Sequence, residues 1–123
     1  MTGVVLRAYA AHPTHRAGPT AAAAARLLAS RLFEADVYPD RRGAAMWTEF
    51  SYPFWFTDIV SALDSLSRIR AGLDDPRVEA ARTWLTAHQG PDGLFTGHLL
   101  KDRFHDLRLW FSLAVCRVLA RLG

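Results

Sequence analysis

The sequence predicts an all-α fold made of helical hairpins, and three observations lead to this prediction. Apolar residues recur at helical spacing in five segments. Capping and turn residues separate those segments. The tripeptide Ala24–Arg26 returns as Ala80–Arg82, 56 positions later, and such a repeat needs neighbouring units to bury its second face. We therefore expect residues 1–123 to form a single domain of about two and a half hairpins.

The first two helices are predicted over residues 2–11 and 19–33. The first ends before Pro13, because the residue before a proline avoids the helical conformation. The second begins at Pro19, which suits the first turn of a helix, and its alanines favour helix. Residues 34–53 then form an irregular segment that is too long to be a simple connector.

The third helix is predicted over residues 54–70, with two different sides. Its apolar side consists of Ile59, Ala62, Leu63, Leu66 and Ile69. Its polar side consists of Asp58, Ser61, Ser65 and Arg68.

The fourth helix is predicted from its end signals. Asp75 provides an N-cap acceptor, and Pro76 stands at the first helical position. Gly90 is expected to end the helix in a left-handed conformation, and Pro91 prevents its continuation. Pro91 and Gly93 then predict a tight turn.

The fifth helix is predicted over residues 107–122, after a loop that spans residues 94–106. Apolar residues occupy almost every side of this helix, which predicts burial on most sides. Cys116 is the only cysteine, so an internal disulfide is excluded, and its apolar neighbours predict an inert buried thiol.

Two stretches carry a resemblance to a known superfamily. The end of the fourth helix has the pattern aromatic-Leu-x3-Gln-x3-Gly-x-aromatic, in Trp84, Leu85, Gln89, Gly93 and Phe95. This resembles the glutamine–tryptophan repeat of squalene cyclases and prenyltransferases, with Phe95 where tryptophan is usual. The stretch Phe50–Asp58 is similar to the inner-helix entry of bacterial squalene-cyclase-like proteins, and the resemblance runs from Thr2 to Leu122.

The resemblance implies a partial α/α toroid. The first, third and fifth helices would form its inner layer, and the second and fourth its outer layer. A closed toroid of this superfamily has more hairpins, so we expect an arc, either the C-terminal part of a longer protein or the product of an internal start.

The resemblance also implies a candidate ligand site near the start of the third helix. Aromatic residues gather there, in Trp47, Phe50, Tyr52, Phe54, Trp55 and Phe56. In terpene cyclases, such rings line the cavity and stabilise carbocations. The predicted ligand-binding residues are Trp47, Tyr52, Trp55 and Asp58. The alternative is that these aromatics form ordinary core, which is the more frequent case.

Asp58 is also a weak candidate for a catalytic acid. A carboxylate that faces a dry cavity can protonate an alkene. However, squalene cyclases hold their proton donor in an Asp-x-Asp-Asp cluster, and this sequence has none. A structural carboxylate at the helix N-terminus is the favoured interpretation of Asp58.

Metal and cofactor sites are not expected. Prenyltransferases of the superfamily bind zinc with aspartate, cysteine and histidine, whereas Asp106–Trp110 has leucine where the histidine is needed. Two weaker groups of possible ligands remain, in His12 with His15 and in His98, Asp102 and His105. Neither group supplies the compact tetrahedral set that zinc prefers, and exposed loop histidines are the simpler explanation.

The charge and hydropathy of the sequence argue against two classes of interaction, nucleic-acid binding and insertion into a membrane. The net charge is +3, but the arginines are scattered along the chain, which argues against nucleic-acid binding. No apolar run reaches the ~20 residues that span a bilayer, and no secretory leader is recognisable. We therefore expect a soluble, cytoplasmic protein.

Two functions remain open from the sequence. In the first, the chain is a non-catalytic helical-repeat module that packs against further hairpins, binds a partner or associates with itself. In the second, it forms part of an aromatic-lined cavity that binds or cyclises an isoprenoid-like apolar ligand. The first is favoured, because the acid cluster and the zinc ligands are both missing from the sequence.

Overall fold

A computed structural model describes residues 2–36, 43–51, 54, 56–103 and 106–123. Within these ranges the chain is mostly α-helical. The five helices are α1 (Thr2–Ala11), α2 (Pro19–Ser30), α3 (Ile59–Ile69), α4 (Pro76–Ala87) and α5 (Leu107–Leu122). Short 3₁₀ segments lie at His15–Ala17 and Ala44–Thr48, and two-residue strands lie at β1 (Glu49–Phe50) and β2 (His98–Leu99). The predicted all-α class is confirmed at this level.

Local end signals explain most of the helix bounds. α1 and α5 have the predicted bounds, and α4 begins at Pro76 after the predicted cap, with the Asp75 carboxylate accepting from the Arg77 N–H at 2.9 Å. α3 begins at Ile59 and not at residue 54. The reason is a capping box, in which Asp58 Oδ1 accepts from the Ser61 N–H at 2.8 Å and Ser61 Oγ accepts from the Asp58 N–H at 3.0 Å.

The predicted left-handed end at Gly90 is wrong. α4 ends at Ala87 with His88 as its C-cap, and the residue with a positive φ is Gly93, at +81°. A tight turn explains the difference, because the Gly90 N–H donates to the Leu94 carbonyl at 2.8 Å and the Gly93 N–H donates to the Gly90 carbonyl at 3.0 Å. Gly93 is the last residue of this four-residue turn, a position where type I turns favour glycine, and its positive φ suits a residue without a Cβ atom.

Helix α3 lies at the centre of the packing. It contacts α1, α2 and α5, whereas α1 and α5 contact α3 much more closely than they contact each other. The helices α1, α3 and α5 therefore form a row in this order. Helix α2 packs against both α1 and α3, and it also contacts α4.

Burial of α3 extends beyond its apolar side. Nine residues of its 11 are buried, namely Ile59, Val60, Ser61, Ala62, Leu63, Ser65, Leu66, Ser67 and Ile69. Burial is therefore not confined to the apolar side, because Ser61 and Ser65 of the polar side are buried as well. Both hydroxyls donate to backbone carbonyls at 3.2 Å, Ser61 to Asp58 and Ser65 to Ser61. A small side chain with a satisfied hydroxyl can be buried at low cost.

Burial of α5 is less complete than predicted. One side is buried, through Phe111, Ser112, Val115 and Val118. On the other side, Leu109 is 58% exposed, Trp110 is 53% exposed and Leu113 is 43% exposed. Cys116 is exposed as well, so the predicted burial of its thiol is wrong. The cause is the position of α5 at one end of the row, where only one side of the helix meets α3.

The strands β1 and β2 join two segments that the sequence predicts to be loops. They pair in parallel, with Glu49 opposite His98 and Phe50 opposite Leu99. Beneath them, the Phe50 and Phe111 rings lie 4.5 Å apart. A Cβ atom at Gly97 would come within 2.6 Å of the Phe50 ring, so this close approach requires glycine.

Candidate functional site

The turn after α4 links that helix to α5. Gln89 Nε2 donates to the Gly93 carbonyl at 3.0 Å, and Gln89 forms a bridge with Phe95. Phe95 is buried, and its N–H donates to Ser112 Oγ on α5 at 2.8 Å. The residues that carry the superfamily resemblance therefore hold the end of one helix against the next, which is a structural task.

An aromatic pair extends this structural cluster. The Trp84 and His88 rings stack with their centroids 3.7 Å apart, and His88 Nδ1 lies 2.7 Å from the Trp84 carbonyl oxygen. Trp84 also lies 5.9 Å from the Phe50 ring. The Nδ1 edge of the imidazole therefore lies beside the end of α4, where His88 is the C-cap.

Asp58 is fully buried at the N-terminus of α3. One of its carboxylate oxygens accepts from the Ser61 N–H, as the capping box requires. This arrangement fits the structural interpretation of the residue, because a carboxylate at a helix N-terminus is stabilised by unpaired N–H groups and by the helix dipole. Its role as a catalytic acid stays a prediction.

A half-open cavity of about 380 Å³ lies between the start of α1 and the end of α2. Its described lining includes Leu27, Arg31, Glu34, Trp47 and Thr57. The indole Nε1 of Trp47 donates to the Glu34 carbonyl at 2.7 Å, and this bond fixes the ring in the wall. The lining combines apolar groups with charged ones, so it is less aromatic than the cavity that the resemblance implies.

The predicted ligand-binding residues are only partly brought together. Trp47 lines the cavity, and Asp58 follows the lining residue Thr57 but is not itself among the described lining residues. Tyr52 and Trp55 lie outside the described residues. Ligand binding by these four residues stays a prediction.

The candidate metal ligands make ordinary loop contacts. His12 Nδ1 accepts from the N–H groups of Thr14 and His15, each at 3.3 Å. Asp102 accepts from the Leu107 N–H at 3.4 Å, and His98 Nδ1 lies 3.6 Å from Glu49 Oε1. His105 lies outside the described residues. Among the residues that are described, no group of three or more such side chains is placed to hold a metal ion.

The most distinctive surface feature is the pair of end helices. Six large apolar side chains are exposed in the described part of the chain, namely Val4, Val5, Leu27, Leu109, Trp110 and Leu113. Five of these six lie on α1 or α5, the two ends of the row. Exposed apolar side chains that gather on one face indicate an interaction surface, whereas single ones do not.

The sequence contained a signal for the α5 surface that periodicity alone did not resolve. Leu109, Leu113, Cys116 and Ala120 follow one another at steps of four, three and four residues. Phe111, Val115 and Val118 form a second stripe on the buried side. Two apolar stripes on one helix indicate two packing surfaces, and on α5 only the second stripe is buried.

Comparisons with protein-family models, with curated protein sequences and with solved structures gave no match. Across the described ranges, the helices are all too short or too polar to cross a membrane.

Proposed function

We propose that this chain is a non-catalytic helical-hairpin module that packs through its end helices, α1 and α5, against the apolar faces of other α-helical hairpins. The observation that carries the proposal is the concentration of exposed apolar side chains on these two helices. Val4 and Val5 of α1 are 56% and 46% exposed, and Leu109 of α5 is 58% exposed. Surfaces of this kind are stabilised when a partner covers them.

The order of the helices supports a repeat of the toroid type. α1, α3 and α5 lie in one row, as the inner helices of an α/α toroid would. A shift of 56 positions also superimposes the buried residues of α1 on buried residues of α3, with Gly3, Leu6 and Ala10 matching Ile59, Ala62 and Leu66. In such a row, the two end helices are where further hairpins attach.

The non-catalytic assignment is supported by the surroundings of Asp58. This residue is the candidate proton donor among the described residues, and it is engaged in the capping box of α3. The residues of the glutamine–tryptophan-like motif are likewise engaged in holding α4 to α5. These two features that suggested terpenoid chemistry therefore have structural tasks.

The test is association of the isolated chain, measured by sedimentation equilibrium over a wide concentration range. We expect the wild type to associate reversibly. The double variants Leu109→Glu with Leu113→Glu, and Val4→Glu with Val5→Glu, should each weaken association at least about tenfold, because a charge at a packed apolar face is desolvated. Leu27→Glu is the matched control, since Leu27 is 53% exposed but lies on α2.

Binding of a fluorescent apolar dye gives a second measurement. We expect the two end-face variants to bind less dye than the wild type at low protein concentration. Leu27→Glu is a control for association only, because Leu27 also lines the cavity. A wild type that stays monomeric at every concentration, with dye binding unchanged by either double variant, would show that the end faces are not docking surfaces.

The cavity favours a second candidate function, which is binding of an apolar ligand beside Trp47. Its volume of about 380 Å³ lies within the range of small-molecule sites. Titration with farnesol should quench tryptophan fluorescence, and both Trp47→Ala and Trp55→Ala should weaken binding. If farnesol and squalene analogues do not bind, this second function is excluded.

A further inference from the structure

We infer that the exposed face of α5 pairs with the same face of a second copy of this chain, in an antiparallel arrangement about a two-fold axis. The inference rests on the proposed function, because it names the partner of one of the two end faces. The argument comes from the order of side chains along α5 and from their charges.

The exposed face of α5 has the spacing of a coiled-coil seam. Leu109, Leu113, Cys116 and Ala120 are separated by four, three and four residues, as alternating d and a positions are. All four are exposed, and none carries a charge. The seam is continuous over most of the 16 residues of α5.

The sizes of these side chains change from large to small along the helix. The first two are leucines, and the last two are cysteine and alanine. In an antiparallel pair with the axis between positions 113 and 116, Leu109 faces Ala120 of the second copy, and Leu113 faces its Cys116. Every layer then combines a large side chain with a small one, which is how facing helices interdigitate.

A parallel pair of the same helices is less favourable. It would place leucine against leucine at one end and alanine against alanine at the other, so that the two helices would diverge.

Two arginines of α5 are already engaged within the chain. Arg108 pairs with Asp92 at 3.3 Å, and Arg121 pairs with Asp64 and donates to Ser67. The exposed face of α5 therefore has little positive charge with which to bind a strongly acidic partner. The uncharged seam is complementary to the same seam running in the opposite direction, so it fits a second copy of the chain better than an acidic partner. Such a contact is isologous, as in other two-fold dimers.

The dimer is expected to be weak. One face of a single 16-residue helix buries less than the ~800 Å² per partner of a standard interface. Interfaces at this end of the size range belong to transient complexes, so the test must capture a short-lived species. Covalent trapping between single cysteines serves this purpose.

The experiment uses the full chain with Cys116→Ser and one new cysteine. One variant carries Leu109→Cys, and the other carries Ala120→Cys. We expect mild oxidation of an equal mixture to give a covalent heterodimer, because these two positions face each other in the antiparallel pair. Each variant alone should give little covalent dimer, since residue 109 lies about 16 Å from its own counterpart along the axis.

Two further variants make the result specific. Adding Leu113→Glu to both partners should reduce the covalent heterodimer at least about tenfold, because the charge would be desolvated in the central layer. Adding Leu27→Glu to both should leave the yield unchanged. All of these positions are exposed in the single chain, so loss of folding does not explain a loss of cross-linking.

The outcomes separate this inference from the proposed function. Strong self-linking of the Leu109→Cys variant would indicate a parallel pair, and linking of Leu109→Cys to a Val4→Cys variant would indicate that α5 packs on α1. Either result overturns the inference and leaves the proposed function in place. If the wild type neither associates nor cross-links through any of these pairs, the inference is wrong, and the proposed function is wrong as well if neither end-face double variant changes dye binding.

Discussion

Helix α3 buries polar residues, whereas helix α5 exposes apolar ones. α3 carries three serines that are buried, and 9 of its 11 residues are inaccessible to solvent. α5 has the larger fraction of apolar residues, yet Leu109, Trp110 and Leu113 are exposed. The difference follows from position, because α3 has neighbours on several sides and α5 packs on α3 with one side. The apolar surface that the fold does not use on α5 is available for association.

The largest expected effect comes from truncating one leucine in each helix. Leu66 of α3 is fully buried, and Leu113 of α5 is 43% exposed. Leu66→Ala should lower the free energy of unfolding by about 2–5 kcal/mol, because it removes buried methyl groups and leaves a cavity. Leu113→Ala should lower it by less than about 1 kcal/mol. Urea unfolding at low protein concentration measures both changes.

This pair of variants tests the central position of α3 directly. At high protein concentration, Leu113→Ala should also reduce self-association, whereas Leu66→Ala should act on stability alone. Equal losses of stability for the two variants would show that α5 is buried in the monomer and that its exposed face has been misplaced.

A second, smaller effect concerns the N-caps of the same two helices. Asp58 caps α3 through the Ser61 N–H, whereas Asp106 at the start of α5 makes no side-chain capping bond. Asp58→Ala should lower the free energy of unfolding by about 1–2 kcal/mol. Asp106→Ala should cost only a few tenths of a kcal/mol, through the helix dipole. Thermal unfolding of both variants makes the comparison, and a larger loss for Asp106→Ala would contradict it.

The helices could be predicted from the sequence because their signals are local. The Asp75–Pro76 cap, the spacing of apolar residues in the third segment and Pro19 at a helix start all act within a few residues. The start of α3 was misplaced because the capping box of Asp58 with Ser61 depends on side-chain geometry that composition does not reveal. The aromatic residues before it suggested a longer helix.

Burial and the site could be predicted less well, because both depend on distant neighbours. The burial of Ser65 and the exposure of Leu113 follow from the order of helices in the row, which local spacing does not encode. The parallel pairing of Phe50 with Leu99 joins segments far apart in the chain, and two-residue strands leave no periodic signal. Trp47 was predicted near a ligand site and does line the cavity, but the charged residues Arg31 and Glu34 beside it were not anticipated.

The smallest expected effect concerns a buried serine of α3. Ser65 Oγ donates to the Ser61 carbonyl one turn earlier, a bond that contributes little to a helix. Ser65→Ala should therefore change the free energy of unfolding by less than about 0.5 kcal/mol, since alanine also favours helix. Ser112→Ala on α5 is the contrasting control, because Ser112 Oγ accepts from the buried Phe95 N–H. Its loss should cost about 1–3 kcal/mol. If Ser65→Ala lowers the free energy of unfolding as much as Ser112→Ala does, the buried hydroxyls of α3 stabilise the fold. The burial of α3 would then depend on its composition more than on its position in the row.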